Sequence, residues 1–280
     1  MTSIIYGILA AASWGACDFA GGIASRKSPA HQVVAVAWGM GLIIAPILAL
    51  LLHEPMITSR EWLFSASAGM IAVFGLLLLY QSMAEGSMSI TIAVSGVTAA
   101  GLPVIAGAIM DGIPSTQTLI AIVLSMAAIW FVSQERNDIG NMQWNLQSMK
   151  NPLLAGLCFG SYFILMNQAS QNAIFWPMVA TRSAGLAVFL IFLWITKKKP
   201  FPPLNKFPLI AVNLSLDMVG TVFFILAGQV GRLDVASVLS SLYPGFAILL
   251  AWLILKEKLN RVQFFGIVLT LCAIGLFSMS

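Results

Sequence analysis

Apolar runs long enough to cross a bilayer fill almost the whole of this chain, leaving loops too short to hold anything else. Ten such runs follow one another, at 3–25, 33–52, 62–84, 88–110, 116–132, 152–168, 174–195, 207–228, 233–255 and 262–279. A helix needs about 20 mostly apolar residues to cross roughly 30 Å of hydrocarbon. The reading is an all-α integral membrane protein, ten transmembrane helices in one compact bundle with the lipid bilayer as its solvent. Composition agrees: 59% of residues are hydrophobic, 9% are charged and the mean hydropathy is +0.94, far from a soluble domain. The net charge of +4 and pI near 9.1 would point to nucleic acid in a soluble protein, but here the basic residues crowd the loops and no nucleic-acid partner is expected. The first run lacks the basic start of a signal peptide and continues past a cleavable length, so it is expected to stay as the first helix. Cys17, Cys158 and Cys272 fall inside runs without metal-ligand spacing, which predicts small buried hydrophobes and no metal or disulfide.

Charge joined to Pro or Gly punctuates the runs, at Arg26–Lys27–Ser28–Pro29, His53–Glu54–Pro55, Asp111–Gly112–Ile113–Pro114 and Lys197–Lys198–Lys199–Pro200. The longest polar stretch, 133–150, lies near the middle. Sliding the chain on itself by 145 residues without gaps sets Gly86 on Gly231, Ser95 on Ser240, Ala106 on Ala251 and Ile109 on Ile254. The same shift sets Ile122–Val123–Leu124 on Ile267–Val268–Leu269, Ala128–Ile129 on Ala273–Ile274, Trp14–Gly15–Ala16 on Phe159–Gly160–Ser161 and Val34–Ala35 on Val179–Ala180. Five helices per half is an odd number, so the second half enters from the other side of the membrane. The expectation is two inverted five-helix repeats, 1–145 and 146–280, forming one unit around a midplane site.

Three ionisable residues interrupt the apolar runs: Asp18, Arg182 and Asp217. A charge near the bilayer centre costs about 3 kcal/mol on insertion scales, so it is kept where it faces protein, water or a ligand. None has a charged repeat partner, since the 145-residue shift sets Asp18 on Phe163, Arg182 on Ala37 and Asp217 on Ala72. Two readings stand side by side. Arg182 forms a structural pair with one Asp between the seventh and eighth helices, taken as neighbours; or all three line a cavity where a carboxylate alternates between a proton and a substrate ammonium. The second reading suits a zwitterion, with Arg182 on its carboxylate.

Trp14, one turn before Asp18, and Asn213, one turn before Asp217, join the candidate site, as does Tyr243. Trp38, Tyr80 and Tyr162 are further candidates for a cavity wall, while Ser95 and Ser240 read as packing and Asn167, Gln81 and Gln229 as helix-to-helix hydrogen bonding. Pro103 and Pro244 fall mid-run in repeat-equivalent helices and are candidate gating kinks.

The segment from Gly231 through Arg232, Leu233 and Asp234 to Leu239, then 242–252 from Leu242–Tyr243–Pro244–Gly245, then Leu255–Lys256–Glu257–Lys258–Leu259 and Gln263–Phe264–Phe265–Gly266, resembles the closing helices of the EamA family of the drug/metabolite transporter superfamily. Trp14–Gly15 fits the family's opening. Many relatives carry Glu before the ninth-helix Pro; Tyr243 stands there in this chain, so no coupling carboxylate carries over. The resemblance implies a secondary transporter in a bacterial inner membrane, moving a small-molecule substrate, with an amino acid or related amine favoured and export the expected direction, and possible proton coupling. Cationic drugs and nucleobase-like solutes remain the alternative cargo. No cofactor is expected, and the motifs of zinc proteases, serine hydrolases and phosphate loops are missing, which speaks against an enzyme. A passive channel is disfavoured because channels close rings of identical subunits.

Orientation divides two signals. Loops on the side of the chain's ends hold Arg60 and Arg232, against Arg26, Lys27, Arg136, Lys150, Lys197, Lys198, Lys199, Lys206, Lys256, Lys258 and Arg261 on the other. The charge bias sets both ends outside; the resemblance sets them in the cytoplasm.

Overall fold

The structure is a computed structural model and describes residues 1–25, 30–85, 88–134, 146–199, 207–256 and 259–279. The described residues form eleven helices: α1 (Thr2–Ser25), α2 (Ala30–Leu51), α3 (Ser59–Glu85), α4 (Met88–Met110), α5 (Thr116–Val132), α6 (Leu146–Ala169), α7 (Phe175–Ile195), α8 (Phe207–Gln229), α9 (Leu233–Ser240), α10 (Tyr243–Leu255) and α11 (Arg261–Ser278). Eight segments have the length and composition to cross a membrane, with α9 and α10 together making one of them; Trp38–Leu51 and Thr116–Val132 are two shorter apolar helices. These are the ten expected spans. The turn at 26–29, Gly86, Pro200 and the centre of the 133–150 stretch lie outside the described residues, as does the Tyr80 side chain.

The ninth span departs from a single kinked helix. Pro244 sits in the first turn of α10, where its missing N–H costs no helical bond, so it is not a kink inside a helix. The break falls before it, at Ser241–Leu242. Pro244 has no N–H to bond the Ser240 carbonyl, and its ring crowds that carbonyl, so a continuous helix is interrupted one turn before the proline. The chain instead turns tightly, with Ser241 N–H donating to Ser237 O at 2.9 Å, Leu242 N–H to Leu239 O at 3.2 Å and Gly245 N–H to Leu242 O at 3.0 Å. Irregular backbone at membrane depth persists where protein buries it, and α9 is buried along nearly its whole length. Pro103, by contrast, lies inside α4 as expected.

The two repeats pack into each other. α1 lies along α8 and against α9 and α10, while α6 lies along α3 and against α4. The 145-residue shift exchanges these interfaces, and the side chains follow it. A methyl added at Gly15 would stand 2.5 Å from Phe246 Cβ and 2.9 Å from Ala247 N; at the equivalent Gly160 it would stand 2.8 Å from Leu102 Cβ, and Leu102 maps onto Ala247. Gly75 of α3 meets Cys158 and Phe159 of α6, and its counterpart Gly220 of α8 meets Trp14 of α1, the counterpart of Phe159. Small residues at helix crossings let backbones close up, the main source of helix association where lipid is as apolar as leucine. Exposed Ile43, Ile47, Ile105, Ile109, Leu253 and Phe264 form the outer surface.

One pair of related interfaces is unequal. α3 packs along α7, where a methyl at Gly69 would stand 2.1 Å from Thr181 O and Thr181 Oγ1 donates to Ser65 O at 3.1 Å. The equivalent α8 meets α2 over a shorter stretch. The face carrying the chain ends is also laced between repeats. Glu54, after α2, accepts from the N–H groups of Ile174, Phe175 and Trp176 at 2.5 to 3.1 Å and so caps α7 from outside. Arg232 donates to Asp111 O at 3.1 Å and Gly112 O at 2.6 Å, Ser3 Oγ to Ala227 O at 2.9 Å and Gln117 Nε2 to Leu276 O at 3.2 Å.

Gly69→Ala forces its methyl onto Thr181 O and is expected to destabilise by about 1–3 kcal/mol, the usual cost of overpacking. Gly39→Ala, with nothing within 4 Å of the new methyl, is expected to melt at or slightly above wild type. Thermal unfolding of the two variants in detergent checks the contrast; equal melting temperatures would contradict the α3–α7 approach.

Candidate functional site

Arg182 organises the centre of the bundle. It sits seven residues into α7 with 5% of its surface accessible, and its guanidinium is bound at Nη2 by Asp217 of α8. The pair does not join packed neighbours, contrary to the expectation from chain order: α7 packs on α2 and α3, α8 on α1 and α2, and the ion pair bridges the gap between them. The third wall is α2. The Arg182 guanidinium lies over the Trp38 ring at 5.0 Å, a cation–π contact strengthened by exclusion of water. Gly185, one turn beyond Arg182, lies against that ring so closely that a methyl would stand 1.8 Å from it. Gly41 leaves room for the arginine stem, since a methyl added there would stand 3.6 Å from Arg182 Cδ and Nε. The side chain is therefore held on three sides. Its Nε–H is buried without a hydrogen-bond partner among the described residues, so one donor is still unspent.

Asp217 retains 27% accessibility. Its backbone is bonded from the next turn, where Thr221 Oγ1 donates to Asp217 O at 2.9 Å. One turn before it, Asn213 Nδ2 donates to Cys17 O at 2.7 Å and contacts Cys17 Sγ at 3.1 Å. The Asn213 amide nitrogen is thus bonded to α1, and it fixes the backbone next to Asp18 relative to the helical turn before Asp217.

Asp18 differs from the other two charges. Its side chain is accessible, and it lies within electrostatic reach of Asp217 and Tyr243 without an ion-pair partner among the described residues. Arg182 is paired with Asp217 and lies on Trp38, Asp18 is within electrostatic reach of Asp217, and Tyr162, Cys17 and Tyr243 are each within electrostatic reach of one or more of these charged residues. Arg182 and Asp217 pair with each other, and Asp18 is left as an acidic group with no ion-pair partner among the described residues.

Trp14 takes another place. Its ring stacks on Phe163 at 5.9 Å and meets Phe224 at 5.9 Å, and Gly220 presses on its edge. It packs the crossing of α1, α6 and α8. Ser95 Oγ bonds back to Thr91 O at 2.7 Å within its own helix, and Gln229 Nε2 donates to Ser170 O at 2.5 Å. Glu54 gives no sign of a helix cap in the sequence because it lies some 120 residues from the helix it caps. Cys17 and Thr221 carry no signal of their own, although Thr221 stands one turn after Asp217 on its helical face and Cys17 adjoins Asp18 in the chain.

The fold and this cluster define an inverted-repeat membrane protein with a polar centre. The chain belongs to the EamA-like transporter family, whose model matches residues 1–134 and 152–279. A solved structure described only as "Crystal structure of protein" is similar at a TM-score of 0.80 and 14% identity, covering 99% of this chain and 96% of that one, a likeness of fold alone. No curated protein matches the sequence.

Breaking the central pair from one side strands a charge. Asp217→Leu and Arg182→Met are each expected to destabilise by about 3–5 kcal/mol, whereas the variant that joins these two substitutions is expected to recover most of that loss. A double-mutant cycle on thermal unfolding measures the coupling; additive losses would mean that the two groups do not interact.

Proposed function

We propose that this protein is a secondary active transporter that moves a small amine-bearing metabolite, an amino acid or a related amine, in exchange for protons. The observation that carries this reading is the unequal state of the three charges. Arg182 is committed to Asp217 and Trp38, while Asp18 is accessible and has no ion-pair partner among the described residues. A lone carboxylate at membrane depth is costly unless a proton or a cation neutralises it. Proton and ammonium therefore compete for one site, which is the coupling that an exchanger needs. Tyr243 and Tyr162 supply aromatic surface beside the ammonium.

This differs from an arrangement in which Arg182 grips a substrate carboxylate. Its Nη2 is bound by Asp217, and its buried Nε–H has no partner among the described residues. The amine is the anchoring group, and a carboxylate on the substrate is secondary. Export, the direction expected from the family resemblance, places the substrate's entry on the cytoplasmic side of an inner membrane.

Alternating access is supported by the unequal interfaces. The α3–α7 interface is tight on the face that carries the chain ends, and its repeat-related α8–α2 interface is the shorter one. Exchanging the two packings between repeats would close one face and open the other around an unmoved cluster. The bonds from Glu54 and Arg232 would then be the ones to break.

Protein reconstituted in liposomes with a trapped pH dye tests the reading against amino acids, primary amines, lipophilic cations and nucleobases. An amine-bearing solute is expected to drive proton flux, and Asp18→Asn is expected to abolish that flux while melting within a few degrees of wild type. Flux that survives Asp18→Asn, or a nucleobase without an amine-borne charge as the sole substrate, would overturn the assignment.

A further inference from the structure

The end of α7 on the face away from the chain termini carries three lysines in succession over an apolar groove, well outside the central cluster. The helix closes tightly there. Thr196 follows the last turn, Lys197 turns back with φ 54°, Lys197 N–H donates to Trp194 O at 3.2 Å and Lys198 N–H to Leu193 O at 3.0 Å. With its last carbonyls satisfied in this way, the lysine run is held at a defined place on the bundle. Lys198 Nζ lies 5.8 Å from the centre of the Phe192 ring, and Lys199 O accepts from Gln32 Nε2 of α2 at 3.4 Å. His31, next to Gln32, is within electrostatic reach of Lys198, and burial and that ammonium hold its imidazole below the usual pKa. No ion pair among the described residues involves Lys197, Lys198 or Lys199.

Directly beneath, Leu190, Leu193, Trp194 and Ile195 line a groove of about 790 Å³ whose rim is the three lysines. Trp194 is 81% accessible and Ile195 67%, both on the surface that faces hydrocarbon in a membrane. Tryptophan at the end of a span marks headgroup depth. Cations at that depth over an apolar channel match a ligand with an anionic head and an apolar tail.

We propose that this corner of α7 and α2 is a binding site for an anionic phospholipid, its phosphate held by Lys197, Lys198 and Lys199 and one acyl chain lying in the groove beside Trp194. The lysines attract any anion, but the groove selects one with a tail. An acidic soluble partner fits poorly, since Trp194 and Ile195 would meet polar surface. The site does not depend on the nature of the transported substrate.

Native mass spectrometry of the purified protein, titrated with phosphatidylglycerol and with phosphatidylcholine of the same chains, tests it. Retained phosphatidylglycerol and weakly held phosphatidylcholine are expected. The combined Lys197→Gln, Lys198→Gln, Lys199→Gln variant is expected to bind phosphatidylglycerol about tenfold more weakly or worse, each basic group near the surface contributing to the attraction. The triple Lys→Arg variant is expected to bind as wild type does, as is a control carrying Lys150→Gln and Lys256→Gln on the same face. Trp194→Ala is expected to weaken the lipid while leaving its preference for the anionic head. Equal retention of the two lipids, undiminished binding by the folded triple Gln variant, or equally effective competition by free glycerol phosphate would each overturn the proposal.

Discussion

Close approach of helices at matched glycines sets the frame on which everything else rests. In a bilayer, burying apolar side chains against each other gains little over leaving them in lipid, so association depends on van der Waals contact and hydrogen bonding. Gly15 and Gly160 admit one crossing in each repeat, and Gly75 and Gly220 admit another. Because α1 docks on helices of the second repeat and α6 on helices of the first, neither half can assemble its core alone. These crossings bring α1 and α8 together at the level of Asp18 and Asp217, and the Asn213 amide on the Cys17 carbonyl fixes their register there.

Within that frame, the Arg182 environment shows how a buried charge is made tolerable without being made available. Asp217 supplies the opposite charge, Trp38 the face of a ring, and Gly41 and Gly185 the space for both. A pair built this way is a fixed electrostatic object, and its function follows from what it leaves over. The remaining acid is Asp18, and in the proposed exchange a single carboxyl beside a paired Arg182 and Asp217 is a simpler switch than three independent charges.

Much of this is legible in the chain. Run length and composition predict the spans to within a few residues in most cases, because hydrocarbon thickness imposes one length on every crossing. The repeat is legible because Gly15 and Gly160 do the same steric work and keep their offset. The kinship of Gly75 and Gly220 lies at the same 145-residue shift but does not stand out, since a lone glycine match in apolar sequence carries little weight until the rings opposite, Phe159 and Trp14, are seen to correspond. The three charges are legible as a group because each is costly in lipid. Their partners are not: Trp38 reads as one aromatic among many, and Glu54 reads as a loop acid until α7 is seen to begin beside it. Trp14 shares a helical face with Asp18, yet its ring turns to Phe163 and Phe224, because periodicity gives a face and not the neighbour that fills it. The break at Ser241–Leu242 reads as a kink, since sequence alone does not separate a proline inside a helix from one that begins the next.

The repeats agree in backbone and disagree in charge, and that disagreement is itself a constraint on mechanism. Phe163 stands where Asp18 would be duplicated, Ala37 where Arg182 would be and Ala72 where Asp217 would be. A fully symmetric centre would hold four carboxylates and two guanidinium groups in one low-dielectric space, with like charges too close to stay ionised. Keeping one copy of each leaves a cluster that a single proton or a single cation neutralises. On the proposed alternating access, a symmetric scaffold would supply two related ways of packing around one asymmetric cluster. Symmetry in the frame and its absence at the centre are thus complementary requirements of the alternating site proposed for this protein.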